Sequence, residues 1–186
     1  MDERVIKALL NNDFQGLRAK DVFRFLYSDR EILRFKAAEA LGSLCRGNSA
    51  YNYLLRFFWH LSDESGAYCV GAPLAIAEIA FRNLEVFEGF KMKFLYLLEN
   101  EEVERSYVAY GILRNARIYD FFEARDLLRK KILELNDLRF KAYAILALRK
   151  MGEKVAVPDL RARIQLYNGK EIAEIEFNRL LEVQHL

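Results

Sequence analysis

The string Leu33-Arg34-Phe35-Lys36-Ala37 recurs unchanged as Leu138-Arg139-Phe140-Lys141-Ala142, 105 positions later, which is three periods of 35. Weaker copies fall between the two. Lys36-Ala37-Ala38-Glu39-Ala40-Leu41 aligns with Gly71-Ala72-Pro73-Leu74-Ala75-Ile76 at an offset of 35. Arg34, Arg105 and Arg139 stand 71 and then 34 positions apart. A period of this length is the mark of stacked helix pairs, each of which buries its apolar face only against its neighbours.

Working outward from these strings, each unit predicts two helices. The first helices are expected over 16–27, 49–61, 85–99 and 119–135, and the second over 30–45, 64–82, 101–116 and 138–151. Apolar residues recur at helical spacing in Val5, Ile6, Leu9 and Leu10 and again in Leu54, Leu55, Phe58 and Trp59. The turns Ser28-Asp29, Ser62-Asp63, Asn100 and Asn136-Asp137 supply capping residues. No stretch sustains the alternation of a strand, so no strand is expected. After Pro158 a further pair is predicted, with Asn168-Gly169 as its turn and a helix over 170–183 that closes one end, as an amphipathic first helix closes the other. Within the first unit, Leu33, Ala37, Ala40, Leu41 and Leu44 make one apolar stripe and Phe35, Ala38, Gly42 and Cys45 a second. A helix with two such stripes is sandwiched, and its small residues allow close approach. The expected fold is thus all-α: one domain over 1–186, a right-handed α-solenoid of about five helix pairs.

Composition agrees. A chain that is 53% hydrophobic and 13% aromatic can bury a real core. Twenty-nine basic residues against 27 acidic ones leave a net charge of +2, which argues against wholesale coating of nucleic acid. Cys45 and Cys69 lie in apolar stretches with no nearby cysteine, as buried thiols of a reducing compartment do. The N-terminus lacks a signal-peptide layout, and the longest apolar run, about 67–77, is far short of the roughly 20 residues of a membrane helix. A cytoplasmic protein with no membrane partner is expected.

Asp29 followed by Leu33-Arg34-x-x-Ala37-Ala38-x-Ala40-Leu41-Gly42-x-Leu44 resembles the HEAT-like repeat family, including the group named after phycobilisome lyases. The resemblance is strong over 29–45 and 137–152 and weak between. It implies an α-solenoid, and an Asp in the turn paired with an Arg early in the second helix as a structural ladder, for which Asp29, Asp137, Arg34, Arg105 and Arg139 are placed. Members of the family include scaffolds, lyases, an iron hydroxylase and DNA glycosylases. The hydroxylase uses His-Glu dipeptides, whereas His60 and His185 are both followed by Leu. The glycosylases resemble such solenoids with a basic concave face, aromatic residues and a carboxylate; Trp59 and Asp63, one turn apart, invite that comparison, but the simpler expectation makes Trp59 core and Asp63 a cap.

Two isolated histidines and two apolar cysteines form no metal set, and no phosphate loop or nucleophile elbow occurs. No catalytic, cofactor-binding or metal-binding residue is expected. In a solenoid the exposed strips of the second helices line the concave surface. They begin with Lys36, Glu39, Ser43 and Arg46, and the repeat carries them to Glu78, to Tyr107, Tyr110, Arg114 and Arg117, and to Lys141. Aromatic and Arg side chains make interface hot spots, so the leading expectation is a non-catalytic adaptor that binds a protein segment there. Nucleic-acid binding through the same strip, with Lys36, Arg46 and Lys141 and with base-lesion chemistry, is the alternative. A second candidate surface, suited to a regulatory subunit docking an enzyme, is the turn with Trp59, Asp63, Glu64 and Tyr68. There Gly66, Gly71 and Pro73 make either a functional loop or a tolerated break, with the helix beginning only near Ala72. The oligomeric state stays open.

The chain has no Thr, three Gln and two His against abundant Glu, Lys and Arg, the bias of proteins from hot-growing organisms. Calorimetry is expected to show unfolding above the roughly 45–65 °C range of mesophilic domains; a transition inside that range would remove the reading.

Overall fold

The computed structural model describes residues 2–62 and 68–182 and is mostly helical, with one small antiparallel sheet. Among the described residues, ten α-helices run in order: α1 Asp2–Leu10, α2 Ala19–Phe23, α3 Glu31–Leu44, α4 Asn48–Ser62, α5 Ala72–Arg82, α6 Leu84–Phe87, α7 Lys91–Leu95, α8 Arg105–Arg114, α9 Phe122–Glu134 and α10 Leu138–Lys150. Short 3₁₀ turns extend α2, α7 and α8. The chain then continues without regular structure to β1 Arg163–Tyr167 and β2 Ile172–Glu176, and ends its described part in a 3₁₀ helix, Phe177–Glu182.

The longer second helices form the backbone of the fold. α3 packs on α5, α5 on α8 and α8 on α10, while α2, α4, α7 and α9 each lie against the second helix of their own unit. α1 covers the free side of α3, burying Val5 and Leu9. The double apolar stripe explains the sandwich: in α5 every residue from Ala72 to Ala80 is buried, which only a helix flanked on both sides can achieve. Close approach depends on glycine. A Cβ on Gly42 would lie 2.6 Å from the Glu78 carbonyl oxygen, and one on Gly111 would lie 2.5 Å from the Phe94 ring.

Several boundaries differ from expectation. The segment predicted as one helix over 85–99 is broken into α6 and α7 by the turn around Gly89. α5 begins at Ala72 with Pro73 in its first turn, so the proline starts a helix instead of kinking one. Among the described residues, Asp137 alone of the expected caps closes a helix by its side chain, accepting from the Arg139 and Phe140 amides at 2.9 and 3.1 Å, and Asp63 lies outside them. α8 is capped instead by Glu104, through the Ser106 amide and hydroxyl.

The chain after Pro158 overturns the expectation of a fifth helix pair. Arg163–Tyr167 pairs with Ile172–Glu176 in a hairpin in which Tyr167 faces Ile172. Asn168 holds the loop by accepting from the Lys170 and Glu171 amides, and Gly169 takes φ +90°, which a side chain disfavours. The hairpin is no terminal cap. Its first strand folds back against α10, and Tyr167 reaches the faces of α3 and α8. Among the described residues, no helix is long and apolar enough to cross a membrane.

Because the carbonyl of Glu78 is backbone and cannot move aside, Gly42→Ala must push α3 from α5. Urea unfolding is expected to show a loss of about 1–3 kcal/mol; an unchanged midpoint would show that the two helices separate freely.

Candidate functional site

The strip expected to line an open concave surface is largely closed. Lys36 is 1% exposed, Glu78 3%, Tyr107 2% and Tyr110 6%. The hairpin covers Lys36 and Tyr110, while α3 and α10 enclose Tyr107 and α8 encloses Glu78. Tyr167 stacks on Phe35 with ring centres 4.2 Å apart, while Tyr107 and Tyr110 meet Phe35 edge-on and Tyr143 meets Tyr110 in the same way. The Tyr167 amide donates to the Tyr143 hydroxyl at 2.8 Å. The chain thus fills its own inner face with an aromatic cluster drawn from α3, α8, α10 and β1.

Three carboxylates are built into that face, each satisfied by another element. Glu31 accepts from the Tyr107 hydroxyl at 2.5 Å and pairs with Arg139 at 2.6 Å. Arg34 donates to the same Tyr107 hydroxyl and to the Ser28 carbonyl. Glu39 accepts from the Tyr167 hydroxyl at 2.6 Å and pairs with Lys36 at 3.0 Å, and Lys36 also donates to the Gly169 carbonyl. Glu78 accepts from the Tyr110 hydroxyl at 2.8 Å and from Arg114 at 3.0 Å. The repeated arginines therefore serve structure, but not in the expected way. Arg34 and Arg139 converge on Glu31 and Tyr107 instead of pairing with Asp29 and Asp137, and Arg105 holds the Asn100 carbonyl.

The electrostatics make the cluster a staple. Burial and the neighbouring carboxylates push the Tyr107, Tyr110 and Tyr167 hydroxyls well above the ordinary tyrosine range. They stay protonated near neutrality and donate to the carboxylates. Cys69, buried as expected, is likewise pushed up to about 11 by burial, so its thiol stays protonated near neutrality.

The rest of the strip has different fates. Arg46 is exposed, but its guanidinium donates to the Gly42 and Cys45 carbonyls and closes the end of α3. Lys141 is half-buried. Arg117 is exposed and Arg114 half-exposed, beside Lys150, which the repeat register did not point to. At the second candidate surface, Asp63 and Glu64 lie outside the described residues. Tyr68 is half-buried and accepts from the Glu104 amide. Trp59, expected in the core, is 59% exposed. It continues a ridge with Tyr51 and Leu55, also exposed, at i, i+4 and i+8 along α4. The ridge is outward because α4 packs through its other faces: Phe57 stacks on Phe23 of α2, and Phe58 on Phe90.

Burial holds the Glu39 carboxyl above its ordinary range, against the downward pull of Tyr167 and Lys36. Such a group costs stability once it ionises: the cost is absent below the unfolded-state value and complete above the folded one. Acidification from about pH 7 to about pH 4.5 should therefore favour the folded state at this position, a gain that Glu39→Gln forfeits. In paired thermal melts, wild-type stability relative to the variant is expected to rise as pH falls; a flat or opposite trend would contradict the assignment.

Comparison with known proteins finds an uncharacterized protein of Archaeoglobus fulgidus that is 48% identical over 176 residues, covering 91% of this chain and 96% of the relative. No family profile and no solved structure matches the chain. With nearly half of all positions shared along almost the full length of both, the chain belongs to the same family as the Archaeoglobus fulgidus protein.

Proposed function

We propose that this chain is a HEAT-like α-solenoid that works as a non-catalytic protein-binding scaffold, and that it docks its partner through the outward ridge of α4. The observation that carries the reading is the exposure of Tyr51, Leu55 and Trp59 on one face of a 15-residue helix whose other faces are packed. Large aromatic side chains left in water on a rigid helix are the usual anchors of a protein interface. Support for the repeat architecture comes from the unbroken series α3, α5, α8 and α10, each packed on the next in chain order.

The binding surface thus moves from the inner face, which the hairpin occupies, to the outer one. The ridge also suggests what it takes. Cations flank it on both sides: Arg56 lies over Phe23 at 4.2 Å and Lys93 over Phe58 at 5.0 Å. An amphipathic partner helix with an apolar stripe and acidic flanks would complement it.

Trp59 is the chain's single tryptophan, so its emission reports the ridge directly. Immobilised wild type is expected to retain a protein that, once purified, shifts Trp59 emission to the blue. Trp59→Ala with Leu55→Asp should keep the fold and weaken retention by about 2 kcal/mol or more. Equal retention by both forms would sink the proposal. So would a blue shift that grows with the protein's own concentration, which would mark the ridge as a contact between copies.

A further inference from the structure

Beside the ends of α8 and α10, on a surface separate from the α4 ridge, a cleft of about 350 Å³ opens between Phe81, Leu84 and Ile118 on its apolar side and Arg114, Arg117 and Lys150 on its charged side. We propose that this cleft binds a small phosphate ester with a flat, largely apolar body, of the nucleoside monophosphate kind. This goes beyond the scaffold reading and does not depend on it.

Excess positive charge is the first argument. Arg114 is paired with Glu78, but among the described residues no carboxylate lies within ion-pair distance of Arg117 or Lys150. Cations at helix C-termini commonly offset the helix dipole, and Lys150 closes α10 in that sense. Here, however, three of them crowd one cleft. Burial, followed by repulsion from Arg114 and Arg117, holds the Lys150 ammonium below the ordinary lysine range. An anion between Arg117 and Lys150 would relieve that repulsion, and phosphate, with several acceptor oxygens, suits two such donors.

A buried acceptor without a donor is the second. Asn115 lines the cleft and is 5% exposed. Its amide is held in one orientation because Nδ2 donates to the Ala77 and Gly111 carbonyls, each at 3.0 Å. Its Oδ1 is left with no hydrogen-bond partner. An orphaned buried acceptor is costly, and this one belongs to a residue that lines the cleft. Shape supplies the third argument. The Arg114 guanidinium, fixed by Glu78, sits over Phe81 at 3.7 Å from the ring centre, giving a rigid planar floor on which a heterocycle can stack. The volume lies at the small end of the roughly 300–1,000 Å³ of ligand pockets, which suits a mononucleotide better than a dinucleotide.

The test is calorimetric titration of the full chain with AMP, GMP, CMP and UMP, against inorganic phosphate and ribose 5-phosphate. At least one mononucleotide is expected to bind at one site, and inorganic phosphate and the bare sugar phosphate about tenfold or more weaker. Arg117→Ala/Lys150→Ala removes two exposed side chains and should weaken binding about 10- to 100-fold. Arg163→Ala/Arg179→Ala makes the same change in net charge at the C-terminal hairpin and should leave binding intact. Overturning results are no saturable binding of any mononucleotide at millimolar concentration, equal affinity for inorganic phosphate, or an equal loss in the two double variants. Tighter binding of an oligonucleotide than of its mononucleotide would also overturn it, by assigning the cleft to an extended strand.

Discussion

Three carboxylates, Glu31, Glu39 and Glu78, stand on the inner face of α3 and α5, and the protein's organisation follows from the need to pair them. A buried charge without a partner is far more costly than the same charge left in water. Each partner comes from another layer: Tyr107 and Arg139 for Glu31, Tyr110 and Arg114 for Glu78, and Tyr167 for Glu39. Every pair therefore ties one helical unit to a later one, or to the hairpin. The aromatic rings that carry the hydroxyls add stacked and edge-on contacts, each worth about 0.5–1.5 kcal/mol beyond the area they bury.

That requirement also explains why the inner face is closed. Glu39 and Lys36 satisfy each other only in part; the Tyr167 hydroxyl and the Gly169 carbonyl complete the set, and both belong to the hairpin. With its inner face filled by its own chain, the protein leaves its outer and end surfaces exposed. The ridge on α4 and the cleft beside α8 and α10 are such surfaces, and they differ in kind: one apolar and convex, the other cationic and recessed.

Much of the helical pairing was legible in the residues. The recurrence of Leu-Arg-Phe-Lys-Ala located α3 and α10 to within a residue or two, and the double stripe around Gly42 foretold its close contact with α5. The hairpin carried a signal that the repeat register obscured. Arg163-Ile164-Gln165-Leu166-Tyr167 alternates polar and apolar residues before Asn168-Gly169, a strong hairpin turn. A few residues of alternation are weak beside four helical repeats, and the turn was absorbed into an expected helix pair. Trp59 failed as a core residue for a similar reason. Periodicity places it on an apolar stripe, but α4 has more apolar residues than its neighbours can cover.

The sequence by itself determined the helical class, the units that repeat every 34 to 36 residues, the sandwiching of the second helices and the burial of both thiols, because these rest on local periodicity and residue size. Only the tertiary structure decided which polar residues are surface and which are staple. Lys36, Tyr107 and Tyr110 read as exposed because their own helices present them outward from the repeat. Lys36 and Tyr110 are buried because a segment more than 50 residues beyond Tyr110 returns to cover them, and Tyr107 because α3 and α10 close on it. Long-range burial of that kind leaves no periodic trace in the chain. It depends on where the hairpin docks, and the hairpin docks through the Tyr167 ring and through hydrogen bonds to Glu39, Lys36 and Tyr143 that only the folded layers bring together.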